Sequence, residues 1–247
     1  MNDRRGQMEH IARIDRSLAR GATRMALRSL AAENPDRRRE LALFMERNPI
    51  RERRNEKARR RWLARLPRSG VLHLVTNADA TRAAWIEGVT LLPEPGDLWS
   101  GVQFARVKVA IRRDGAPLDI KPICFVDQHV LMRVAQRGGD LNVAAYPRDI
   151  AEQTLGWIQA ANEIGATAIA VPYRDGVIYG RRAFGTTLLS TYIGHAQLSV
   201  YRRRALEQLR ADLPPLPRMP RLSLLPEEVC RRTAEAMARA CRKLDEC

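Results

Sequence analysis

Residues 102–126 read VQFARVKVAIRRDGAPLDIKPICFV, and this stretch decides the fold class. Two β-rich runs, Val102 to Ile111 and Leu118 to Val126, flank a polar segment that ends in Asp114-Gly115. An Asp-Gly step between two such runs is a strong signal for a β-hairpin. The stretch therefore predicts an antiparallel pair of strands.

The same signal recurs farther along the chain. Asp175-Gly176 lies between residues 167–173 and 177–181, and residues 186–193 predict the next strand of that meander. Residues 71–76 (VLHLVT) are a further strand candidate, followed by a short helix capped at Asn77 or Asp79. We therefore expect a mainly antiparallel sheet of about five or six strands.

Helical patterns alternate with these strands. A helix is predicted from about 127 to 136, ended by Gly138-Gly139, and a second runs from Pro147 to about Ile164. A third helix, residues 195–213, completes an α+β domain of residues 71–213 with helices packed on the sheet.

The C-terminal residues 214–247 begin with a Pro-rich stretch. Prolines at 214, 215, 217 and 220 predict a stiff, extended tether. Pro226 then opens a last helix, and its apolar stripe is formed by Cys230, Met237, Cys241 and Leu244.

Positive charge is concentrated in residues 1–70. The chain carries 43 Lys and Arg against 28 Asp and Glu, a net charge of +15. Residues 1–70 hold 20 of these cations and nine acids, so they carry +11. Such a local excess is expected where one segment meets a polyanion.

Helical spacing places these cations on stripes of a basic helical arm, residues 1–70. Ile11, Ile14 and Leu18 recur as an apolar face, with Gly21 as a candidate break, and Asn34-Pro35 and Asn48-Pro49 predict further helix starts. The residues expected to contact phosphate groups of nucleic acid are Arg13, Arg16, Arg20, Arg24, Arg53, Arg54, Lys57, Arg60 and Arg61.

The charge pattern predicts a nucleic-acid-binding protein without distinguishing RNA from DNA. Phosphate contacts require cations on one face with the apolar residues packed elsewhere, and the arm meets this condition. An acidic protein partner, for which the chain would be a scaffold, and a homo-oligomer are the competing partners for the same surface.

A second candidate site lies on the helix predicted at 127–136. His129, Arg133 and Arg137 fall at i, i+4 and i+8 and share one face, while Val130, Leu131 and Val134 lie on the other. A histidine that titrates near neutral pH can exchange the proton of a ribose 2′-hydroxyl, and two guanidinium groups can bind the scissile phosphate. The same face could instead be a second phosphate-binding patch without catalysis.

A helix of the form H-x-x-x-R-x-x-x-R, followed by antiparallel strands that end in a Thr-Tyr step, resembles the RelE-type toxins of the barnase–EndoU–colicin–RelE group. The matching residues are His129, Arg133 and Arg137, then Ser190-Thr191-Tyr192-Ile193, within residues 103–193. The resemblance implies a metal-independent ribonuclease, with phosphate binding and proton transfer at these positions and a supporting role for Thr191 or Tyr192. The chain departs from the group in its hairpin before the helix, its helical insertion at 147–164 and its length.

The sequence lacks the motifs of several other classes of function. The cysteines at 124, 230, 241 and 247 have no short paired spacing, which argues against a zinc site, and there is no phosphate loop of the form G-x-x-x-x-G-K-[ST]. We therefore expect no cofactor and no metal. No apolar run approaches the roughly eighteen residues that span a bilayer, and residues 1–5 do not begin a secretory signal, so we expect a cytoplasmic protein without membrane contact.

Overall fold

The computed structural model describes residues 14–32, 47, 71–75, 85–94, 101–110, 118–183, 185–215 and 225–245. The elements, in chain order, are α1 (Arg16–Ala32), β1 (Val71–Val75), β2 (Trp85–Glu94), β3 (Gly101–Ala110), β4 (Leu118–Asp127), α2 (Gln128–Gly138), α3 (Tyr146–Glu163), β5 (Ala168–Tyr173), β6 (Gly176–Ala183), β7 (Thr186–Ile193), α4 (Val200–Asp212) and α5 (Glu227–Asp245). Short 3-10 helices, Val143–Ala145 and His195–Gln197, precede α3 and α4. The predicted α+β class, with helices packed on a sheet, is confirmed.

The strands form one seven-stranded sheet in the order β1-β2-β3-β4-β7-β6-β5. Neighbouring strands are antiparallel except for β4 and β7, which are parallel. Both predicted hairpins are present, as β3–β4 and β5–β6. The strand that the sequence does not predict is β2, whose Gly88 and Pro93 weaken a strand pattern. Pairing with β1 and β3 on its two sides overrides that local preference.

A β-bulge in β4 lies where the two halves of the sheet join. Phe104 pairs with Cys124 but Ala105 pairs with Pro122, so Ile123 is the extra residue. The Asn162 side chain, near the end of α3, donates from Nδ2 to the Ile123 carbonyl oxygen at 2.8 Å. The Thr187 hydroxyl of β7 donates to Asn162 Oδ1 at 2.6 Å. One side chain therefore satisfies the bulge and links β4 to β7.

The C-terminal helix α5 belongs to the same core as the sheet. It packs against α3, α4 and β5, and its predicted apolar stripe is buried as Cys230, Met237, Cys241 and Leu244. Burial of this kind is the main stabilising contribution of a helix in a folded domain. The Pro-rich stretch lies mostly outside the described residues, which end at 215 and resume at 225.

The described helix of the basic arm, α1, also packs on the body. It contacts α2 and the 3-10 helix at Val143–Ala145 and runs through Gly21 without a break. Its buried face is Ala19, Thr23 and Leu27, whereas Leu18 of the predicted apolar face is 54% exposed. The helices predicted to start near Asn34, Asn48 and Asn77 fall outside the described residues, apart from a helical Arg47.

Candidate functional site

A pocket of about 170 Å³ lies where the N-terminal ends of α1 and α2 meet. We call it the α1–α2 pocket; it is lined by Arg16, Arg20, Thr23, Asp127, Gln128, His129 and Met132. Two of the arginines predicted to contact phosphate, Arg16 and Arg20, are thereby placed beside His129 of the second candidate site. Part of each predicted site therefore meets at this pocket.

The local sequence explains why α2 begins at this pocket. Asp127 ends β4 in an extended conformation, and its Oδ1 accepts a hydrogen bond from the His129 backbone N–H at 2.6 Å, which makes it the N-cap. Gly139 ends the helix at a φ of 68°, a left-handed conformation that favours glycine. Val130, Leu131 and Val134 are buried, as the sequence predicts, so the opposite face holds His129.

The imidazole of His129 is polarised by its neighbour one turn along α2. Arg133 Nε donates to His129 Nε2 at 3.2 Å. Because an arginine can only donate, the Nε2 of His129 is an acceptor and its proton resides on Nδ1. Partial burial and then the charge of Arg133 lower the pKa of His129, with a smaller lowering by Arg16 and an opposing effect of Asp127. His129 is therefore neutral at pH 7.

The arginines of α1 form a second part of the site. Arg16, Arg20, Arg24 and Arg28 are all exposed and follow one another at intervals of four residues, about 6 Å along the helix. Residues 16–32 contain no acidic residue. Within the described segments, no carboxylate forms an ion pair with any of these four arginines. Among the described residues, therefore, no carboxylate neutralises their charge.

The other predicted catalytic residues lie at the opposite end of α2. Arg137 is about 12 Å along the helix from His129, and its Nη1 donates to the backbone carbonyl oxygen of Tyr192. The Tyr192 side chain is 2% exposed, and its hydroxyl donates to Asp175 Oδ1 at 2.7 Å. Burial and the neighbouring carboxylate of Asp175 raise the pKa of Tyr192. The structure thus brings Arg133 to His129 but directs Arg137 and Tyr192 into a separate network.

A β-bulge in β7 accounts for the burial of Tyr192. Tyr179 pairs with Thr191 while Gly180 pairs with Leu189, so Ser190 is the extra residue. The bulge shifts the alternation of side chains, which places Tyr192 on the same face of the sheet as the buried Leu189. Thr191, the other residue of the Thr-Tyr step, is half-buried.

A polar cluster near Tyr192 escaped the sequence analysis. Arg174 donates from Nε and Nη2 to Asp149 Oδ2 at 3.1 and 3.0 Å, and the Tyr173 hydroxyl donates to the same oxygen at 2.6 Å. The guanidinium also lies 4.8 Å from the ring centre of Tyr146. Partial burial opposes ionisation of Asp149, but these hydrogen bonds outweigh it and lower the pKa of Asp149. The cluster fixes the β5–β6 turn against α3.

Of the residues that line the α1–α2 pocket, Arg16, Arg20 and His129 are predicted as site residues from the sequence and the others are not. Asp127 carried a usable signal, because an Asp directly before an apolar helical pattern is a common N-cap. Thr23, Gln128 and Met132 carried none, since only the packing of α1 on α2 makes them neighbours. Of the predicted phosphate contacts, Arg13, Arg53, Arg54, Lys57, Arg60 and Arg61 lie outside the described residues.

The described segments contain no group of three or more His, Cys, Asp or Glu side chains placed to hold a metal ion. None of the described helices is long and apolar enough to cross a membrane. Cys124 is fully buried, and burial raises the pKa of its thiol, so it is not a reactive thiolate.

Comparison with known proteins leaves the chain without an assigned relative. No protein-family model, no curated protein and no solved structure matches it. The resemblance to RelE-type toxins rests on His129, Arg133, Arg137 and residues 190–193 of this sequence.

Proposed function

We propose that the protein binds nucleic acid through its phosphate groups, at the α1–α2 pocket and along the exposed arginines of α1. The observation that carries this proposal is the convergence of Arg16 and Arg20 with His129 on one pocket. Arginine is well suited to phosphate because its planar guanidinium presents several N–H donors in a fixed geometry.

The pocket chemistry favours an anion over a neutral ligand. Two guanidinium groups and the Nδ1–H of His129 are hydrogen-bond donors, and Gln128 adds an amide. Asp127 supplies the one carboxylate among the lining residues, and one of its oxygens already accepts from the His129 N–H. The balance of charge at the pocket is therefore positive.

The arginine stripe favours a regularly charged polymer. Arg16 to Arg28 spans twelve residues of helix, or about 18 Å. One strand of a nucleic-acid duplex carries a phosphate about every 3.4 Å along the axis, so the stripe faces roughly five phosphates. A nucleic-acid backbone offers a continuous row of negative charges over that length, whereas an acidic protein surface has no fixed charge spacing.

Paired substitutions within α1 test this proposal. Arg16→Ala/Arg20→Ala removes two charges that line the pocket, and Arg24→Ala/Arg28→Ala removes two charges of the same helix outside it. We expect the first variant to weaken binding of a labelled RNA or DNA oligonucleotide by about tenfold or more, since charge-assisted hydrogen bonds are lost. The second should weaken it by only about threefold, through loss of general attraction. Fluorescence anisotropy measures both.

Two results would count against the proposal. If the wild-type chain binds no oligonucleotide at low salt, the nucleic-acid assignment is wrong, and the acidic protein partner becomes the better account of the stripe. If the two double variants bind equally well, the pocket is not the phosphate site. Thermal melting of each variant checks that α1 remains folded.

A metal-independent ribonuclease is the second candidate function. The observation that favours it is a neutral His129 beside Arg133 in a positively charged pocket, because a neutral imidazole can accept a proton at pH 7. Its Nε2, however, already accepts from Arg133, so proton transfer requires that contact to open. The hypothesis predicts RNA cleavage in EDTA that leaves a 2′,3′-cyclic phosphate. Undiminished cleavage by His129→Ala would exclude His129 as the base.

A further inference from the structure

The N-terminal end of α4 exposes an aromatic ring within a basic sequence. Residues 200–204 read VYRRR and contain no acid. Tyr201 is 49% and Val200 66% exposed, and Tyr201 is the one exposed aromatic residue among those whose side chains the structure describes. A tyrosine ring presents a large, rigid apolar face. About half of Tyr201 is therefore open to a ligand.

The three arginines that follow Tyr201 have different surroundings. Arg203 Nε donates to the Leu198 carbonyl oxygen at 3.0 Å, and the Nε of Arg202 is buried. Arg204 is exposed and lies three residues after Tyr201, so the two side chains emerge as neighbours on the helix surface. Tyr201 and Arg204 together offer a ring face beside a cation.

The loop before α4 connects this surface to the end of α2. A Cβ atom built on Gly194 would lie 3.7 Å from Arg137 Cβ, so Gly194 lies beside α2 at Arg137. Ser199 then caps α4, and its Oγ accepts from the Arg202 N–H at 3.3 Å. Tyr201 therefore lies seven residues along the chain from the point where Gly194 approaches Arg137 of α2.

We propose that the nucleic acid is single-stranded, and that one of its bases stacks on Tyr201 while Arg204 contacts an adjacent phosphate. The inference rests on the proposed function and specifies its ligand. In a duplex the faces of the bases are covered by neighbouring bases, so an exposed aromatic ring gains nothing from it. A single strand offers free base faces, and stacking on aromatic residues is the common device for holding them.

The test compares single-stranded and duplex oligonucleotides of equal length with the full chain. We expect Tyr201→Ala to weaken single-strand binding by about tenfold, the typical effect of losing one stacked base, and to leave duplex binding unchanged. Tyr201→Phe, which keeps the ring, should bind like the wild type. Ile164→Ala removes an exposed apolar side chain elsewhere, 44% exposed after α3, and is the matched control without effect.

The outcomes separate this inference from the proposed function. If the wild type binds oligonucleotides and depends on Arg16 and Arg20, but Tyr201→Ala binds both forms as the wild type does, the stacking inference is overturned and the proposed function stands. Equal weakening for single strand and duplex also overturns stacking. If the wild type binds neither form, both proposals fail, and the exposed Val200 and Tyr201 are better explained by a protein contact.

Discussion

The imidazole of His129 accepts a hydrogen bond from Arg133 and lies near Arg16, so protonation would add a third positive charge to their surroundings. Partial burial acts in the same direction because it disfavours the charged form. The neutral form is thus selected by the fold, and the Nδ1–H remains as the donor for a ligand. An anion in the α1–α2 pocket would reverse this preference, since a negative charge favours imidazolium.

This reversal gives a measurable pKa change. In the free protein we expect the pKa of His129 to lie below its ordinary value of 6.5, and inorganic phosphate or an oligonucleotide should raise it. The ring-proton resonance of His129, followed by NMR as a function of pH, reports both values, and His129→Gln identifies it. A pKa at or above 6.5 without ligand would contradict the geometry described here.

The same shift fixes the sign of a stability change. Because the folded-state pKa is lower than the unfolded one, the contribution of neutral His129 is present above pH 6.5 and is lost as the pH falls through the lowered pKa. The wild type should therefore melt at a higher temperature than His129→Gln at neutral pH, and this difference should disappear as the pH becomes mildly acidic.

The β5–β6 hairpin is predicted correctly from the sequence, but its turn forms for a different physical reason from the one that the Asp-Gly signal implies. The Asp175-Gly176 step predicts the turn, but Tyr173 pairs with Gly176, so the central residues are Arg174 and Asp175. Arg174 has a φ of 51°, in the left-handed region where glycine would be expected. Its bonds to Asp149 offset that strain. Gly176 is needed because a Cβ there would collide with the Ile193 carbonyl oxygen and the Tyr192 ring.

At the scale of elements, α1 carries two neighbouring stripes of side chains, one buried and one exposed. Ala19, Thr23 and Leu27 are buried against the body, whereas Arg16, Arg20, Arg24 and Arg28 are exposed. The Thr23 hydroxyl donates to the Ala19 carbonyl oxygen at 2.8 Å, so its burial leaves no polar atom unsatisfied. Docking on α2 therefore holds Arg16 and Arg20 at the pocket. A deletion of the arm would remove part of the core together with the charge.

Weakening the docked face should reduce binding while every arginine is retained. Leu27→Ala removes a nearly buried side chain and should destabilise the fold or the docking of α1 by about 2 kcal/mol. We expect a corresponding loss of oligonucleotide affinity and faster proteolysis within α1. Met25→Ala, on the same helix but 70% exposed, should change stability by less than about 0.5 kcal/mol. Unchanged affinity in Leu27→Ala would mean that charge alone, without the pocket, determines binding.

At the scale of the whole molecule, local sequence patterns were sufficient to predict most helices and strands but not how these elements pack together. The predicted helices and strands of residues 118–213 are present because their periodicity and turn residues reflect the final burial. The burial of Tyr192 was not predictable, since it follows from one unpaired residue, Ser190, in a strand register that only the sheet defines. The same holds for the α1–α2 pocket, whose two sides are more than one hundred residues apart in sequence.

The charge of the arm is shared between α1 and the residues of the arm that lie outside the described segments. Four arginines of α1 account for part of the +11 of residues 1–70, and five further predicted contacts are Arg53, Arg54, Lys57, Arg60 and Arg61. If both groups contact phosphates, each contributes to the salt dependence of binding. The logarithm of the affinity falls linearly with the logarithm of the salt concentration. Each neutralised phosphate makes this salt slope steeper by about 0.7 for a single strand and about 0.9 for a duplex.

Replacing either group with alanine should therefore make the salt slope less steep, in proportion to the number of phosphate contacts that are lost. For a single strand, removing the four arginines of α1 should reduce its steepness by at most about 3, and removing Arg53, Arg54, Lys57, Arg60 and Arg61 by at most about 3.5. Affinities measured between roughly 50 and 200 mM salt give the slopes. The ratio of the two reductions shows how the phosphate contacts are divided between α1 and the substituted residues of 53–61. A wild-type affinity independent of salt would show that the ligand is not a polyanion, because counterion release accompanies every phosphate contact.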